Sequence, residues 1–406
     1  MSYRKIRYPR LTALLAIVLA AINLRAAITA LGALLPAVQE DLSLSGTTVG
    51  ILGTIPTMMF AISAFILPQL KARMTLSEIM VLSLSLTTVG QFLRVVYPHP
   101  LVLIAGSIVA LFAIGILNTT MPLVVREYFP NRIPTMSLTY MITAQAGLSI
   151  APIFGVPIMN WANSEGWPGW QVSLGLWAFV SMVAGMAWLP LLVRHGPNPV
   201  TDAPKPNFNI PVWRTRVGVG LALLFGCNSL IGYTLLTFLP NLYLNAGASE
   251  EMASGMLVLV SVSGLPLSFI GTWLVGRFRR LFPTVIVIGI CVIVGHLGLA
   301  LSPLSHPWLW VLLAAVGTMA FSIATVLINI RARTIEGATG LTSFTQGFGY
   351  TVASAGPLLT GLLSDVTGSL GTGMYILSAA GIVMTAGGYF ATREVHVEDQ
   401  LAELSR

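Results

Sequence analysis

The sequence predicts an all-α membrane protein in which twelve transmembrane helices form two six-helix bundles. Three observations predict this fold: an apolar composition, twelve long apolar runs, and basic residues confined to every second connection between those runs. Hydrophobic residues make up 55% of the 406 residues and charged residues only 9%, and the mean hydropathy is +0.83. About a quarter of the residues in a soluble domain are charged, so a soluble globular protein is excluded.

A helix needs about 20 mainly apolar residues to cross the hydrocarbon core of a bilayer. Twelve runs are of about that length, and they lie at 11–35, 46–70, 77–97, 101–124, 134–160, 168–193, 215–244, 252–276, 283–301, 307–330, 338–363 and 372–391. The first run is too long for the apolar part of a signal peptide and is followed by further spans. We therefore expect it to be retained as the first helix.

The basic residues predict the topology. Nineteen of the 21 Lys and Arg residues lie before the first run, on every second connection or at its edge, or after the last run. Basic residues near helix ends are retained in the cytoplasm. We therefore expect a multi-pass protein of the cell inner (plasma) membrane with both termini cytoplasmic. The net charge of +7 then reflects topology and contact with anionic lipid, so no nucleic-acid partner is expected.

The pattern also predicts two related halves. Residues 194–214 form the longest polar stretch between runs and contain five prolines, as a cytoplasmic linker would. It separates a bundle at 1–193 from a second bundle at 215–406 with a short cytoplasmic tail. Pro36 recurs as Pro240, and Arg73 recurs as Arg277, both 204 residues later. Repeats in parallel relation are typical of transporters whose substrate site lies near the midplane between the halves.

Arg25 is the strongest candidate for a substrate contact because it lies near the centre of the first run. An Arg at that depth costs about 2.5 to 3.5 kcal/mol to insert, so such residues usually face a water-filled cavity and serve function. Because the guanidinium cannot lose its proton and no Asp or Glu lies in the central third of a run, an anionic or electron-rich ligand is predicted. The alternative is an Arg that locks helices together.

Arg94 is the second basic residue inside a run. It lies three residues from the outer end of the third run, where a long side chain is expected to reach the membrane interface. If it turns inward instead, it would line the outer vestibule.

Uncharged polar residues inside other runs are further candidates. When the repeated prolines are aligned, Ser229 takes the position of Arg25 and Tyr233 that of Thr29. Residues four apart share a helix face, as in the pair Gln346 and Tyr350. For every member of this set, packing between helices is the alternative to lining the substrate path. The set is Thr29, Asn118, Gln145, Asn228, Ser229, Tyr233, Gln346 and Tyr350.

Other chemistries lack the residues they need. His296 is the one His inside a run and we expect it to be packed and neutral, whereas Cys227 and Cys291 are in separate halves. Three or four ligands are required for a metal site, so no metal or other cofactor is expected. No acid, base and nucleophile share a depth, which argues against an enzyme. No phosphate-binding loop is present, which argues against an ATP-driven pump.

The chain resembles the cyanate and 2-nitroimidazole transporter family of the major facilitator superfamily over almost its whole length. The segments that carry the resemblance are NLRAAITALGALLP at 23–36, NTTMPLVVREYFP at 118–130, NSLIGYTLLTFLP at 228–240 and QGFGYTVASAGPLLTGLLSDVTGS at 346–369. The resemblance implies a twelve-helix transporter of small solutes. One departure is Ala26, where the family pattern has Pro, and this changes the expected bend beside Arg25.

We therefore predict a monomeric secondary or facilitative transporter that moves a small anionic or polar planar solute by alternating access. A cyanate-like anion, a carboxylate or a nitroheterocycle would suit a planar guanidinium. Two alternatives stay open: a multidrug exporter with a Met-rich pocket, supported by Met58 and Met59 and by Met252 to Met256, and a transporter-like receptor that binds solute without moving it.

Overall fold

The computed structural model describes residues 9–192 and 211–404, and within these ranges every regular element is helical. The first half contains α1 (Pro9–Asp41), α2 (Gly46–Lys71), α3 (Leu76–Val96), α4 (Pro100–Tyr128), α5 (Ile133–Ser164) and α6 (Gly169–Leu192). The second half contains α7 (Arg216–Asn245), α8 (Glu250–Arg277), α9 (Phe282–Leu301), α10 (Pro307–Ala315), α11 (Thr318–Ile330), α12 (Ile335–Thr367), α13 (Gly371–Ala391) and α14 (Val397–Leu404). The predicted linker 194–214 lies outside the described residues except for its last four positions.

The predicted all-α fold with twelve spans agrees with these helices. Eleven spans within the described ranges are long and apolar enough to cross a membrane, with α10 and α11 together forming one of them. The remaining long helix is α12, which is 33 residues long and rich in Gly, Ser and Thr. The protein is therefore an integral membrane protein with many apolar helices.

Several helices begin and end at residues that suit a helix terminus. The Thr75 side chain accepts a hydrogen bond from the Glu78 amide, and the Glu78 carboxylate accepts one from the Thr75 amide, which forms a capping box at α3. Thr215 and Thr334 cap α7 and α12 through the amides three residues later. Gly368 ends α12 in the left-handed conformation with φ of 69°, which favours Gly.

The tenth span differs from the single helix that the run 307–330 predicted. It is divided into α10 and α11 at Val316–Gly317, where the amides of Gly317, Met319 and Ala320 each bond to the carbonyl three residues earlier. Such tight turns within a helix often mark a hinge. A Cβ at Gly317 would lie 3.1 Å from Oδ1 of Asn228 on α7, so the absence of a side chain lets the two helices approach.

Two compact units are present, Met1–Leu44 with Met58–Asp202 and Ser45–Thr57 with Ala203–Arg406. The start of α2 thus packs with the second unit, whereas the sequence assigned it to a first bundle at 1–193. Backbone contact explains this grouping, because a Cβ at Gly50 would lie 2.6 Å from the carbonyl oxygen of Pro357 on α12. Small residues allow helices to approach this closely in membranes.

Within the first unit, glycines also bring helices together. A Cβ at Gly90 of α3 would lie 2.4 Å from the Ala110 nitrogen of α4, and one at Gly147 of α5 would lie 2.3 Å from the Ile22 carbonyl oxygen of α1. Asn23 of α1 packs against α6, since its Oδ1 accepts a hydrogen bond from Ser181 at 2.7 Å. These contacts fix the α1 segment that carries Arg25.

The short helix α14 was not predicted from the sequence. Its Gln400 side chain accepts a hydrogen bond from the Val217 amide at the start of α7, at 3.1 Å. Its Glu398 carboxylate accepts from the amides of Arg333 and Thr334 at the start of α12, both at 3.0 Å. The carboxyl-terminal tail therefore caps two long helices of its own unit.

Candidate functional site

Arg25 lies at the middle of α1, sixteen residues from Pro9 and sixteen from Asp41. Its side chain is partly exposed, while the neighbouring Leu24 and Ala26 are buried in the first unit. Within 9–192 and 211–404, the guanidinium has neither a hydrogen-bond acceptor nor a carboxylate partner. This leaves a permanent positive charge with free donors at mid-helix, as the sequence predicted.

Tyr140 of α5 is a neighbour of this charge that the sequence did not single out. It lies within electrostatic range of the Arg25 guanidinium, and its ring packs beside a buried cluster that includes Leu24. Its partly exposed hydroxyl has no hydrogen-bond partner among the described residues. The sequence alone cannot distinguish a Tyr that lines a cavity from one that packs between helices. Only the three-dimensional structure shows that Tyr140 lies near Arg25.

Three other predicted residues belong to the first unit, and their surroundings differ. Asn118 of α4 is partly exposed, and its amide has no partner in the described part of the chain. Gln145 of α5 is also partly exposed, and its backbone carbonyl accepts a hydrogen bond from the Ser149 hydroxyl at 3.2 Å. Thr29 is fully buried and donates to the Ala26 carbonyl. We therefore leave Thr29 out of the candidate site, because its hydroxyl is directed into the packed bundle.

The expectation that Arg94 reaches the interface or lines a vestibule is wrong. Its side chain is 0% exposed. It donates from Nε to Ser107 at 3.0 Å, and from Nη1 to the Ala27 carbonyl and to Gln91 Oε1, both at 3.1 Å. Helical side chains point toward the amino terminus of their own helix. By the predicted topology α3 runs outward, so this direction carries the guanidinium away from the nearby outer surface.

In the second unit, three candidates follow one another on α7. Asn228 is 8% exposed and its amide has no partner in the described structure. Ser229 is buried, and its hydroxyl has no hydrogen bond. Tyr233 is buried as well. Because Asn228 Oδ1 faces the turn at Gly317, this amide lies beside the interruption of the tenth span.

On α12, Gln346 and Tyr350 have different roles in the packing. Gln346 is partly exposed, and its amide has no partner within the described ranges. The Tyr350 ring is buried and meets Phe225 edge-on at a centroid distance of 5.3 Å, and Phe225 in turn lies 5.1 Å from Phe321. The sequence did not predict this aromatic cluster, because its three members come from three separate helices.

Among the described residues, the middle parts of the long helices contain no acidic group and no metal-binding cluster. The described carboxylates lie at helix ends or connections, and no group of three or more His, Cys, Asp or Glu could hold a metal ion in the described regions. His296 is fully buried, with Nδ1 2.6 Å from the Val292 carbonyl oxygen. The candidate residues can therefore bind a solute through a guanidinium, amides and hydroxyls.

The fold and these features define a polytopic membrane transporter. The sequence pattern described as Major Facilitator Superfamily matches residues 14–354, and the chain belongs to that superfamily. It is 23% identical over 389 residues to the 2-nitroimidazole transporter of Escherichia coli (strain K12), covering 96% of this chain and 97% of that one. It is 25% identical over 363 residues to the cyanate transport protein CynX of the same strain, covering 88% and 91%.

A solved nucleoside transporter, NupG, has the same fold. It superposes with a TM-score of 0.72 at 13% sequence identity, covering 94% of this chain and 98% of that one. Identity at this level carries the fold and no more. The superfamily and the two relatives are transporters, not enzymes, so the family resemblance and the non-enzyme prediction are both confirmed.

Proposed function

We propose that this protein is a secondary or facilitative transporter of a small anionic or polar planar solute, that Arg25 binds the solute, and that transport proceeds by alternating access. The observation that carries the proposal is the partly exposed Arg25 side chain at mid-helix with no acceptor among the described residues. A charge at that depth is costly unless it meets water or a ligand. A ligand that brings negative charge or electron-rich oxygen would offset this cost.

The names of the two relatives support the substrate class. One is named for cyanate and the other for 2-nitroimidazole. Cyanate is a linear anion, and 2-nitroimidazole is a planar ring with nitro oxygens. Both present acceptors to a guanidinium, whose donors lie in one plane. We propose that Tyr140 and Asn118, which have free polar groups on the same unit as Arg25, add donors to the bound solute.

We propose six further substrate contacts. One is Gln145 of the first unit, and the others, in the second unit, are Asn228, Ser229, Tyr233, Gln346 and Tyr350. Asn228 and Gln346 have the stronger support, since each amide has no partner in the described chain. An amide both donates and accepts, which would orient an anion without competing with Arg25 for charge.

The positions of the charged residues support proposals for the energy coupling and for the location of the protein. We propose uniport or exchange in preference to proton symport, because the described carboxylates lie at helix ends. A location in the plasma membrane with both termini in the cytoplasm agrees with the distribution of Lys and Arg, and we propose that the protein acts as a monomer. Imposing a pH gradient on proteoliposomes tests the coupling, and a steep stimulation of flux would overturn uniport or exchange.

A thermal-shift screen of the purified protein tests the proposed substrate class. Cyanate, benzoate and 2-nitroimidazole are compared with tetraphenylphosphonium, a lipophilic cation that a multidrug exporter would bind. A ligand at 100 times its Kd stabilises the native state by roughly 2.7 kcal/mol. We expect stabilisation by at least one electron-rich probe and its loss in Arg25→Ala, while Arg73→Ala, which removes an exposed Arg, retains it.

Three results would oppose the proposal. Stabilisation that persists in Arg25→Ala would separate the ligand from Arg25. Stabilisation by the lipophilic cation alone would favour the multidrug alternative, whose support is weakened by the full burial of Met256. Saturable binding without flux in proteoliposomes would favour the receptor alternative.

A further inference from the structure

Arg94 is a second cation in the first unit, and the proposed substrate contacts do not use it. It is one of the largest fully buried side chains of the described structure. Its guanidinium connects three helices, with bonds to Gln91 on α3, Ser107 on α4 and the Ala27 carbonyl on α1. The backbone of α4 packs closely against α3 here, since a Cβ at Gly106 would lie 2.7 Å from the Arg94 backbone nitrogen and 3.1 Å from the Arg94 Cγ.

The charge of Arg94 is not compensated within the described part of its unit. The carboxylates there lie at the ends of helices or in connections, and they are Glu40, Asp41, Glu78, Glu127 and Glu165. Nη2 of Arg94 and Nε2 of Gln91 are both buried with no acceptor. An Arg does not deprotonate to escape burial. A permanent positive charge is therefore held in a region of low dielectric, where its field is weakly screened.

This charge lies close to Arg25 along α1. The carbonyl that Arg94 binds belongs to Ala27, two residues beyond Arg25, which is a rise of about 3 Å on a helix. Two residues turn a helix by about 200°, so the Arg25 side chain and the Ala27 carbonyl lie on opposite sides of α1, and a solute at Arg25 would lie on the order of 15 Å from the Arg94 guanidinium. At an effective dielectric of about 20, a unit charge at that distance changes the binding of an anion by roughly sixfold.

We propose that Arg94 determines the charge specificity of transport: without touching the solute, it makes the Arg25 site favour an anion over an uncharged solute of the same shape. The inference rests on the proposed function, since it assumes that the solute binds at Arg25. It adds a specificity residue that is hidden from the solute. At this distance the field acts much more strongly on a net charge than on a dipole, so the affinity for uncharged planar solutes would change little without it.

A tie between helices is the competing role for Arg94, and Gln91 separates the two roles. The variant Gln91→Glu has almost the same shape and retains an acceptor for Nη1, but it places a negative charge against the guanidinium. The variant Gln91→Met removes the hydrogen bond from Nη1 and adds no charge. Only the first cancels the field while keeping the connection between α1, α3 and α4.

Cyanate and cyanamide are the probes, because both are small and linear but only cyanate is charged. Their dissociation constants are measured by competition or thermal shift on the unaltered protein, Gln91→Glu, Gln91→Met and Arg94→Gln. We expect the ratio of cyanate affinity to cyanamide affinity to fall roughly sixfold in Gln91→Glu and to be unchanged in Gln91→Met. Without ligand, Gln91→Glu should melt at a higher temperature than Gln91→Met, since it pairs a buried charge.

Each other result has a distinct meaning. If the unaltered protein prefers cyanate but Gln91→Glu keeps the same ratio, the role of Arg94 is overturned and the proposed function stands. If the unaltered protein binds cyanate and cyanamide with equal affinity, the role of Arg94 is overturned and the proposed function stands for a polar planar solute. A ligand-free Gln91→Glu that is no more stable than Gln91→Met would also overturn the inference, because Arg94 would then already be compensated. If Arg94→Gln lowers the affinities for cyanate and cyanamide equally, Arg94 only connects the helices.

Discussion

The carboxyl-terminal part of α12 carries a carboxylate that caps another helix. Asp365 lies beyond the apolar run 338–363, and it accepts hydrogen bonds from the amides of Gly46 and Thr47 at the start of α2, each at 2.7 Å. These amides are orphan donors of a helix amino terminus, and a carboxylate there also opposes the helix dipole. The interaction therefore stabilises the packing of the α2 start on α12 within the second unit.

Replacing Asp365 with Asn removes this charge and turns one acceptor into a donor. One of the two amides then faces an NH2 group and loses its partner. Loss of a helix cap costs about 0.5 to 2 kcal/mol, and because Asp365 is exposed the effect is discounted toward the lower half of that range. We expect a loss of about 1 kcal/mol, which is roughly a fivefold increase in the local opening of the α2 terminus.

The pH dependence has a definite sign. Hydrogen bonds from the Thr47 side chain, and then from the Thr47 and Gly46 amides, lower the pKa of Asp365 despite some desolvation. A group whose pKa is lowered in the folded state stabilises that state above its ordinary pKa. The contribution is lost as the pH falls through the lowered value, so it is fully present at neutral pH.

Hydrogen–deuterium exchange of peptides that cover 44–57 measures this opening. In Asp365→Asn we expect exchange at the start of α2 to become roughly fivefold faster at neutral pH. The start of α3, where the capping box of Thr75 and Glu78 is intact, is the internal control and should not change. Unaltered exchange at α2, or an equal increase at α3, would refute the assignment of Asp365 as a cap.

Two further predictions concern the same unit. Gly361→Ala should destabilise the contact between α2 and α12 by about 1 to 3 kcal/mol, since its Cβ would lie 2.2 Å from the Gly46 carbonyl oxygen; an unchanged melting temperature would contradict this. Glu398→Gln should lower the melting temperature at neutral pH, because a carboxylate cap of α12 is lost. Burial tends to raise the pKa of Glu398, but hydrogen bonds from Thr334 and Arg333 lower it overall. The difference between Glu398→Gln and the unaltered protein should therefore shrink as the pH falls through that lowered pKa, and a constant difference would oppose the assignment.

The helical spans and the mid-helix position of Arg25 could be predicted because both depend on one-dimensional quantities. The length of an apolar run sets whether a helix can cross the membrane, and the distance of Arg25 from both ends of α1 sets its depth. The structure supports that depth, with sixteen residues on either side of Arg25. Nothing about neighbouring helices is needed for these two conclusions.

The rest depends on direction and on neighbours, which the sequence does not encode locally. Arg94 was assigned by the depth of its Cα, but its side chain runs back along α3 to the Ala27 carbonyl. The turn at Gly317 depends on the approach of Asn228 from another helix. Tyr140 became a candidate only when α5 was seen to bring it near Arg25.

The central claim is that Arg25 binds the transported solute, and flux through the membrane tests it most directly. Labelled cyanate is measured in proteoliposomes that contain equal amounts of folded unaltered protein, Arg25→Ala, Arg25→Lys or the exposed control Arg73→Ala. A hydrogen bond to a charged group is worth about 1.5 to 3 kcal/mol, so both Arg25 variants should lose at least about tenfold in transport efficiency while the control retains it. Flux by Arg25→Ala equal to that of the unaltered protein would contradict the claim.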